Sequence, residues 1–326
     1  MDQHDRVRRR AFARAALGVL VFAVASGVAH TAGVAGSEHF GLTGITAKAI
    51  PAVTLFMIAV PLVLSLRGKW DRRPVGEMGL RRPATAGYGF IVVGTSAGLV
   101  LGVGAAAGTL RVDSVDRWSL ASFLLVNTVL ALLLEAVPEE LTLRGYTFSA
   151  LADRWRPRLA GAGTTALFVI APSIGIAVGA GLDLLIWGHA EPVTFAPGGQ
   201  DPAAYAVLLA VFGAMLVTAR IACGSVWVCV AAHLTFLTVN RIFIAPAGFD
   251  TGVDVHLAPG GSEVMVVGYL LGATVAFAVI GARSGRGRRT PNRDGNRRRQ
   301  RTTRGRHRNS IRTMVHRHRT HPHCDP

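Results

Sequence analysis

Long apolar runs alternate with short polar segments along the whole of this chain. The runs lie near Ala15–Ala35, Ile45–Leu66, Gly87–Leu110, Leu120–Val137, Leu159–Trp187, Ala203–Ala222, Val226–Ala245 and Val264–Ala282. Most come close to the ~20 helical residues that cross a hydrocarbon core of ~30 Å. A single soluble core would show shorter apolar runs broken by turn chemistry. The pattern predicts an all-α fold, a polytopic transmembrane helix bundle of about eight helices. The fifth run is long and rich in Gly and Ala, and is expected to be tilted or broken at Pro172. The sixth and seventh are separated only by Cys223–Ser225.

Composition agrees only if charge is segregated. Half the residues are apolar and 17% are charged, and the charges cluster between the runs. Basic residues collect at the N-terminus (Arg6, Arg8, Arg9, Arg10, Arg14), after the second run (Arg67, Lys69, Arg72, Arg73, Arg81, Arg82), after the fourth (Arg144, Arg154, Arg156, Arg158) and in the tail. Segments 36–44, 188–202 and 246–262 contain no Lys or Arg, and only Arg111 and Arg117 run against the alternation. Eight spans with both termini cytoplasmic satisfy the positive-inside rule, and seven do not. The apolar segment after Arg14 is soon followed by another, which favours a first membrane anchor over a cleavable signal peptide.

Three regions follow: a basic N-terminus over 1–14, a membrane domain over 15–282 and a tail over 283–326. The net charge of +16 owes much to the tail, which holds 15 of the 35 basic residues and ends with His316, His318, His321, His323 and Cys324. It is expected to be disordered and drawn to anionic lipid. No specific nucleic-acid partner is expected, because no aromatic residue interleaves the arginines for base stacking. Cys223, Cys229 and Cys324 suggest no disulfide framework or paired zinc-ligand spacing.

Ionisable groups within a span are costly and point to function. The fourth run ends Leu132-Leu133-Leu134-Glu135-Ala136-Val137-Pro138-Glu139-Glu140-Leu141-Thr142-Leu143-Arg144-Gly145. On a helix Glu135 and Glu139 share a face, as do Glu140 and Arg144. Pro138 interrupts the backbone ladder just before the pair, and the residues after it are expected to start a new turn. The plain alternative is an interfacial helix end with snorkelling charges and one Glu–Arg pair. The functional reading is a buried pair of carboxylates given different roles by their neighbours, one a base towards water and the other structural.

Glu139-Glu140-x-x-x-Arg144-Gly145 resembles the first motif of the CPBP family of intramembrane proteases, which includes type II CAAX prenyl endopeptidases and bacterial Abi proteins. A second block is similar too. Phe212 to Arg220, the Gly224-Ser225-Val226-Trp227 turn and Ala231-Ala232-His233 follow the family's order and spacing. The likeness covers roughly 120–240, the core of the domain. It implies an intramembrane endopeptidase in a bacterial-type cell membrane, acting on a membrane-associated peptide or protein, in a cavity open to the cytoplasm. It further implies Glu139, Glu140, Arg144 and His233 as catalytic residues, with His233 and Glu140 as ligands to a divalent metal such as zinc.

Two family positions differ. The family's Phe-x-x-x-His reads Phe168-Val169-Ile170-Ala171-Pro172 here, and the Asn or Asp expected four residues after His233 is Leu237. The first Asn is Asn240, two turns along and on the same face as His233. His189, Glu191 and Asp183 fall at the opposite side of the membrane, Asp183 as a lumen-facing or interfacial charge. These departures give weight to a second reading, a catalytically silent relative that binds membrane peptides or partner proteins. A transporter is disfavoured, since paired broken helices in repeated halves are not evident.

Overall fold

Each apolar run forms a helix in the computed structural model, which describes residues 3–244 and 250–287. The helices are α1 (Gln3–Val34), α2 (Gly44–Ser65), α3 (Ala86–Ala106), α4 (Arg117–Ala152), α5 (Pro157–Trp187), α6 (Pro202–Cys223), α7 (Val226–Ile244) and α8 (Gly261–Gly287). All eight are long and apolar enough to cross a membrane. Large apolar side chains such as Leu99, Val103, Leu125 and Leu185 stand exposed around them, a surface that lipid would cover favourably.

The α6–α7 division falls where expected. Gly224 adopts φ 68°, a conformation open to glycine without steric cost, and Ser225 caps α7 by accepting from the Trp227 amide. The same turn is tied to the loop before α3. Ser225 donates to the Arg82 carbonyl at 3.2 Å, and the Trp227 indole donates to the Leu80 carbonyl at 2.9 Å.

Several boundaries move. The fourth helix does not end near Val137 but continues to Ala152. Arg144 is therefore no loop residue; it is fully buried. Pro172 does not break α5, which runs as one helix through it. The connections on the Lys/Arg-poor face also hold a two-stranded antiparallel ribbon, β1 (Leu110–Val115) with β2 (Val253–Leu257), bulged between Val112 and Ser114. Arg111, one of the two charges against the pattern, lies on this ribbon 2.6 Å from the Asp113 carboxylate. Just beyond it, Asp116 caps α4, and its bonds from the Ser119 hydroxyl and Trp118 amide hold its carboxyl below the usual range.

α1 packs chiefly on α5 and α2, and α3 packs on α7, which also touches α4 and α6. The helix carrying His233 is thus enclosed by neighbours. On the basic face Arg14 bridges Asp71 at 2.5 Å and Asp153 at 3.1 Å, and Arg73 reaches Asp153 at 2.6 Å. This network joins α1, the α2–α3 connection and the end of α4. The described residues up to Gly281 form one compact unit. Most of the tail, expected from its composition to be drawn to anionic lipid, lies outside the described residues.

Close helix contact predicts an asymmetry along α3. A Cβ at Gly89 would lie 2.4 Å from the Val228 carbonyl oxygen, whereas one at Gly98 would meet nothing. Gly89→Val should cost about 1–3 kcal/mol through overpacking, read as a lower unfolding midpoint in detergent. Gly98→Val should leave that midpoint nearly unchanged.

Candidate active site

The helix that bears the glutamate pair is not uniformly wound. α4 is α-helical over 117–131, π-helical over Leu132–Ala136, α-helical over Val137–Glu140 and π-helical again over Leu141–Thr147. Pro138 opens the short α turn between the wide ones, so its missing N–H falls where the ladder already shifts. π turns of this kind recur at functional sites. Wide winding also frees carbonyls, and one of them is used. The Arg144 carbonyl accepts from Arg220 Nε at 3.0 Å, and the Arg220 guanidinium lies 5.4 Å from the Phe148 ring centre.

Glu140 is fully buried, and its Oε1 serves two partners. His233 Nδ1 lies 2.9 Å away and Arg144 Nη1 3.1 Å. Its other oxygen, Oε2, is buried with no hydrogen-bond partner. Arg144 Nε and Nη2 are likewise unpartnered, but the guanidinium stacks 4.4 Å from the centre of the Phe168 ring. The His233 ring meets Phe212 edge-on at 4.8 Å, and Phe212 stacks on Phe236 at 4.2 Å. Glu139 is half-buried and takes no hydrogen bond or ion pair from a described residue.

All four sequence-predicted site residues therefore meet. Potential ligand atoms of Glu139, Glu140 and His233 lie within 4.8 Å of one another. Two carboxylate oxygens and one imidazole nitrogen form a donor set compatible with a catalytic zinc, which takes three protein ligands and a water. The orphaned Oε2 of Glu140 would gain a partner in such a site.

Other candidates stand apart. Pro172 brings no donor from α5, and its motif partner Phe168 instead faces Arg144. Leu237 is buried and apolar, and Asn240 accepts from the Tyr269 hydroxyl at 3.0 Å. His189 and Glu191 are exposed on a connection. Asp183 is buried near the end of α5, 3.7 Å from the His30 ring. Glu135 does not join the pair on its shared face but bonds Arg241, which also donates to Asn127 Oδ1 at 2.7 Å. Arg241 and Asn127 were not singled out by the sequence, although Arg241 is an intramembrane charge that its position in an apolar run would flag; Arg220 entered only as the end of the second motif block.

Comparison with known proteins falls on this same stretch. Residues 121–239 match the family model described as Type II CAAX prenyl endopeptidase Rce1-like. The match contains Glu139, Glu140, Arg144 and His233, and it meets the resemblance expected from the motifs. No curated protein and no solved structure matches the chain. With eight spanning helices and a core similar to a membrane protease family, the chain is an integral membrane protein.

Breaking a buried pair by removing one partner strands a charge, at about 3–5 kcal/mol. Arg144→Met should destabilise the folded protein by that order in detergent unfolding. The double variant Glu140→Gln/Arg144→Met should recover part of the loss.

Proposed function

We propose that this chain is an intramembrane endopeptidase that hydrolyses a peptide bond of a membrane-associated protein or peptide. The observation that carries the reading is the convergence of Glu139, Glu140 and His233 deep in the bundle, within the matched stretch. The two glutamates differ in surroundings and so in role. Glu140, engaged by Arg144 and His233, is the orienting group. Glu139, half-buried and taking no hydrogen bond from a described residue, is the base that takes a proton from water as it attacks the carbonyl and returns it to the leaving amine. His233, held by Glu140, presents its ring to the oxyanion that forms. A divalent metal such as zinc, held by Glu140 and His233, would lower the pKa of the attacking water and polarise the carbonyl, with Glu139 left free as the base.

The orientation with both termini cytoplasmic, and the attraction of the tail to anionic lipid, belong to the same proposal. They rest on the Lys/Arg alternation and on tail composition. The second reading, a silent binder of membrane peptides, is favoured by one observation, the proline at position 172 where the family carries histidine.

Cleavage of a broad peptide pool by the detergent-purified protein decides between them, with metal content measured alongside. Glu139→Gln and Glu140→Gln should each lower cleavage by at least about 100-fold, and a chelator should abolish it. Cleavage undiminished in both variants would remove the glutamates from the reaction. No cleavage and no metal in the unaltered chain would establish the binder.

A further inference from the structure

Between the end of α4 and the start of α5 the chain reads Asp153-Arg154-Trp155-Arg156-Pro157. The Arg154 and Trp155 amides both donate to the Leu151 carbonyl, at 3.1 and 2.9 Å, which closes α4. Pro157 then opens α5, a position that its fixed φ suits. Trp155 is held at this corner. Its side chain packs on the buried cluster of Ala15, Phe148 and Leu151, and a Cβ on Gly163 would lie 3.2 Å from its ring. Arg154 and Arg156, on either side of it in sequence, stand exposed.

A cavity of about 760 Å3 opens on the basic face at this corner, lined by Val7 and Arg8 of α1 and by residues 152–156. Its size lies within the range of about 300–1,000 Å3 typical of ligand pockets, and it shares no residue with the glutamate site. Arg8, Arg154 and Arg156 line this one space, and none of them is paired with a described residue. The carboxylate in the lining, Asp153, is already engaged by Arg14 at 3.1 Å and Arg73 at 2.6 Å. Three like charges around one space repel each other, and an anion between them relieves that cost. Deeper along the helices the surface turns apolar. Phe12 stands one turn along α1 from Arg8 on the same face, and Leu159 lies three residues after Arg156. They are 49% and 61% exposed.

We propose that this cavity binds an anionic phospholipid, whose phosphate is held by Arg8, Arg154 and Arg156 and whose acyl chains run along Phe12 and Leu159. Guanidinium groups match phosphate oxygens in a two-pronged fork, and a tryptophan between charge and apolar surface suits the level of the headgroups. The chain's own tail, with 15 basic residues, has the wrong sign to fill the space. A free phosphate satisfies the arginines and makes no use of the apolar flank. With the basic face cytoplasmic, as the Lys/Arg alternation implies, the site faces the leaflet that carries anionic lipid. The bound lipid adds a tie between α1 and the α4–α5 turn, beside the Arg14–Asp153 pair. The site is independent of the endopeptidase reading.

The full chain, stripped of lipid in a mild detergent, is titrated with phosphatidylglycerol, phosphatidylcholine or inorganic phosphate while its unfolding midpoint is followed. A ligand raises the midpoint only if it prefers the folded chain, so general attraction to a run of arginines goes unseen. Phosphatidylglycerol should raise it by at least about 2 °C, and phosphatidylcholine by much less. Arg154→Gln/Arg156→Gln should lose most of that rise. Arg8→Gln, on the α1 wall, should weaken it too, so the result does not rest on the fold of one turn. Arg9→Gln/Arg10→Gln removes two charges of the same face from outside the lining and should keep the rise. No rise in the unaltered chain, or equal losses in the two double variants, would overturn the site. A rise with inorganic phosphate as large as with phosphatidylglycerol would replace the lipid by a free anion.

Discussion

A carboxylate without water around it constrains this molecule more than any other group. Glu140 has no exposed surface, and an isolated buried charge of that kind is too costly to persist unpaired. Arg144 one turn on and His233 from α7 both bond its Oε1. The first partner is local and would form on any helix. The second fixes α4 against α7 at one register, and α7 is in turn held by α3 along a seam of close backbone contact at Gly89. Phe168 and Phe212 then pack on the arginine and the histidine, so that α5 and α6 are placed by the same charge. Four helices are thus positioned around one oxygen.

The winding of α4 serves that arrangement. Two π segments with a proline between them change which residues face inward over a single stretch, and the unused carbonyl of Arg144 is taken by a buried arginine from α6. Arg220 holds the wide turn from behind, where a water would otherwise be needed. Packing behind the glutamates is tight for the same reason, with every residue from Glu140 to Leu151 buried.

Much of this was legible in the chain. Apolar length gave the helices, and the alternation of Lys and Arg gave an even count. Glu139, Glu140, Arg144 and His233 were legible because a charge inside an apolar run has few innocent explanations. What escaped was set by tertiary contact. The π winding has no composition signature, so Arg144 read as a loop residue. The fifth run read as either tilted or broken at Pro172, because tolerance of proline in a spanning helix depends on neighbours that one segment does not reveal. The ribbon was overlooked because Leu110-Arg111-Val112 and Val253-Asp254-Val255-His256-Leu257 alternate over too few residues to stand out beside runs of twenty. The Glu135–Arg241 bond joins residues 106 apart in sequence, and nothing local marks it.

The dependence on Glu140 is tested most directly by its coupling to His233. A double-mutant cycle of Glu140→Gln and His233→Asn, read as unfolding free energy in one detergent, isolates the contact between α4 and α7. The two losses should fall short of or exceed additivity by about 1 kcal/mol or more, as expected for groups in one hydrogen-bonded network. Additivity within about 0.3–0.5 kcal/mol would show that the two side chains do not hold each other, and the account of the bundle as organised around that carboxylate would be wrong.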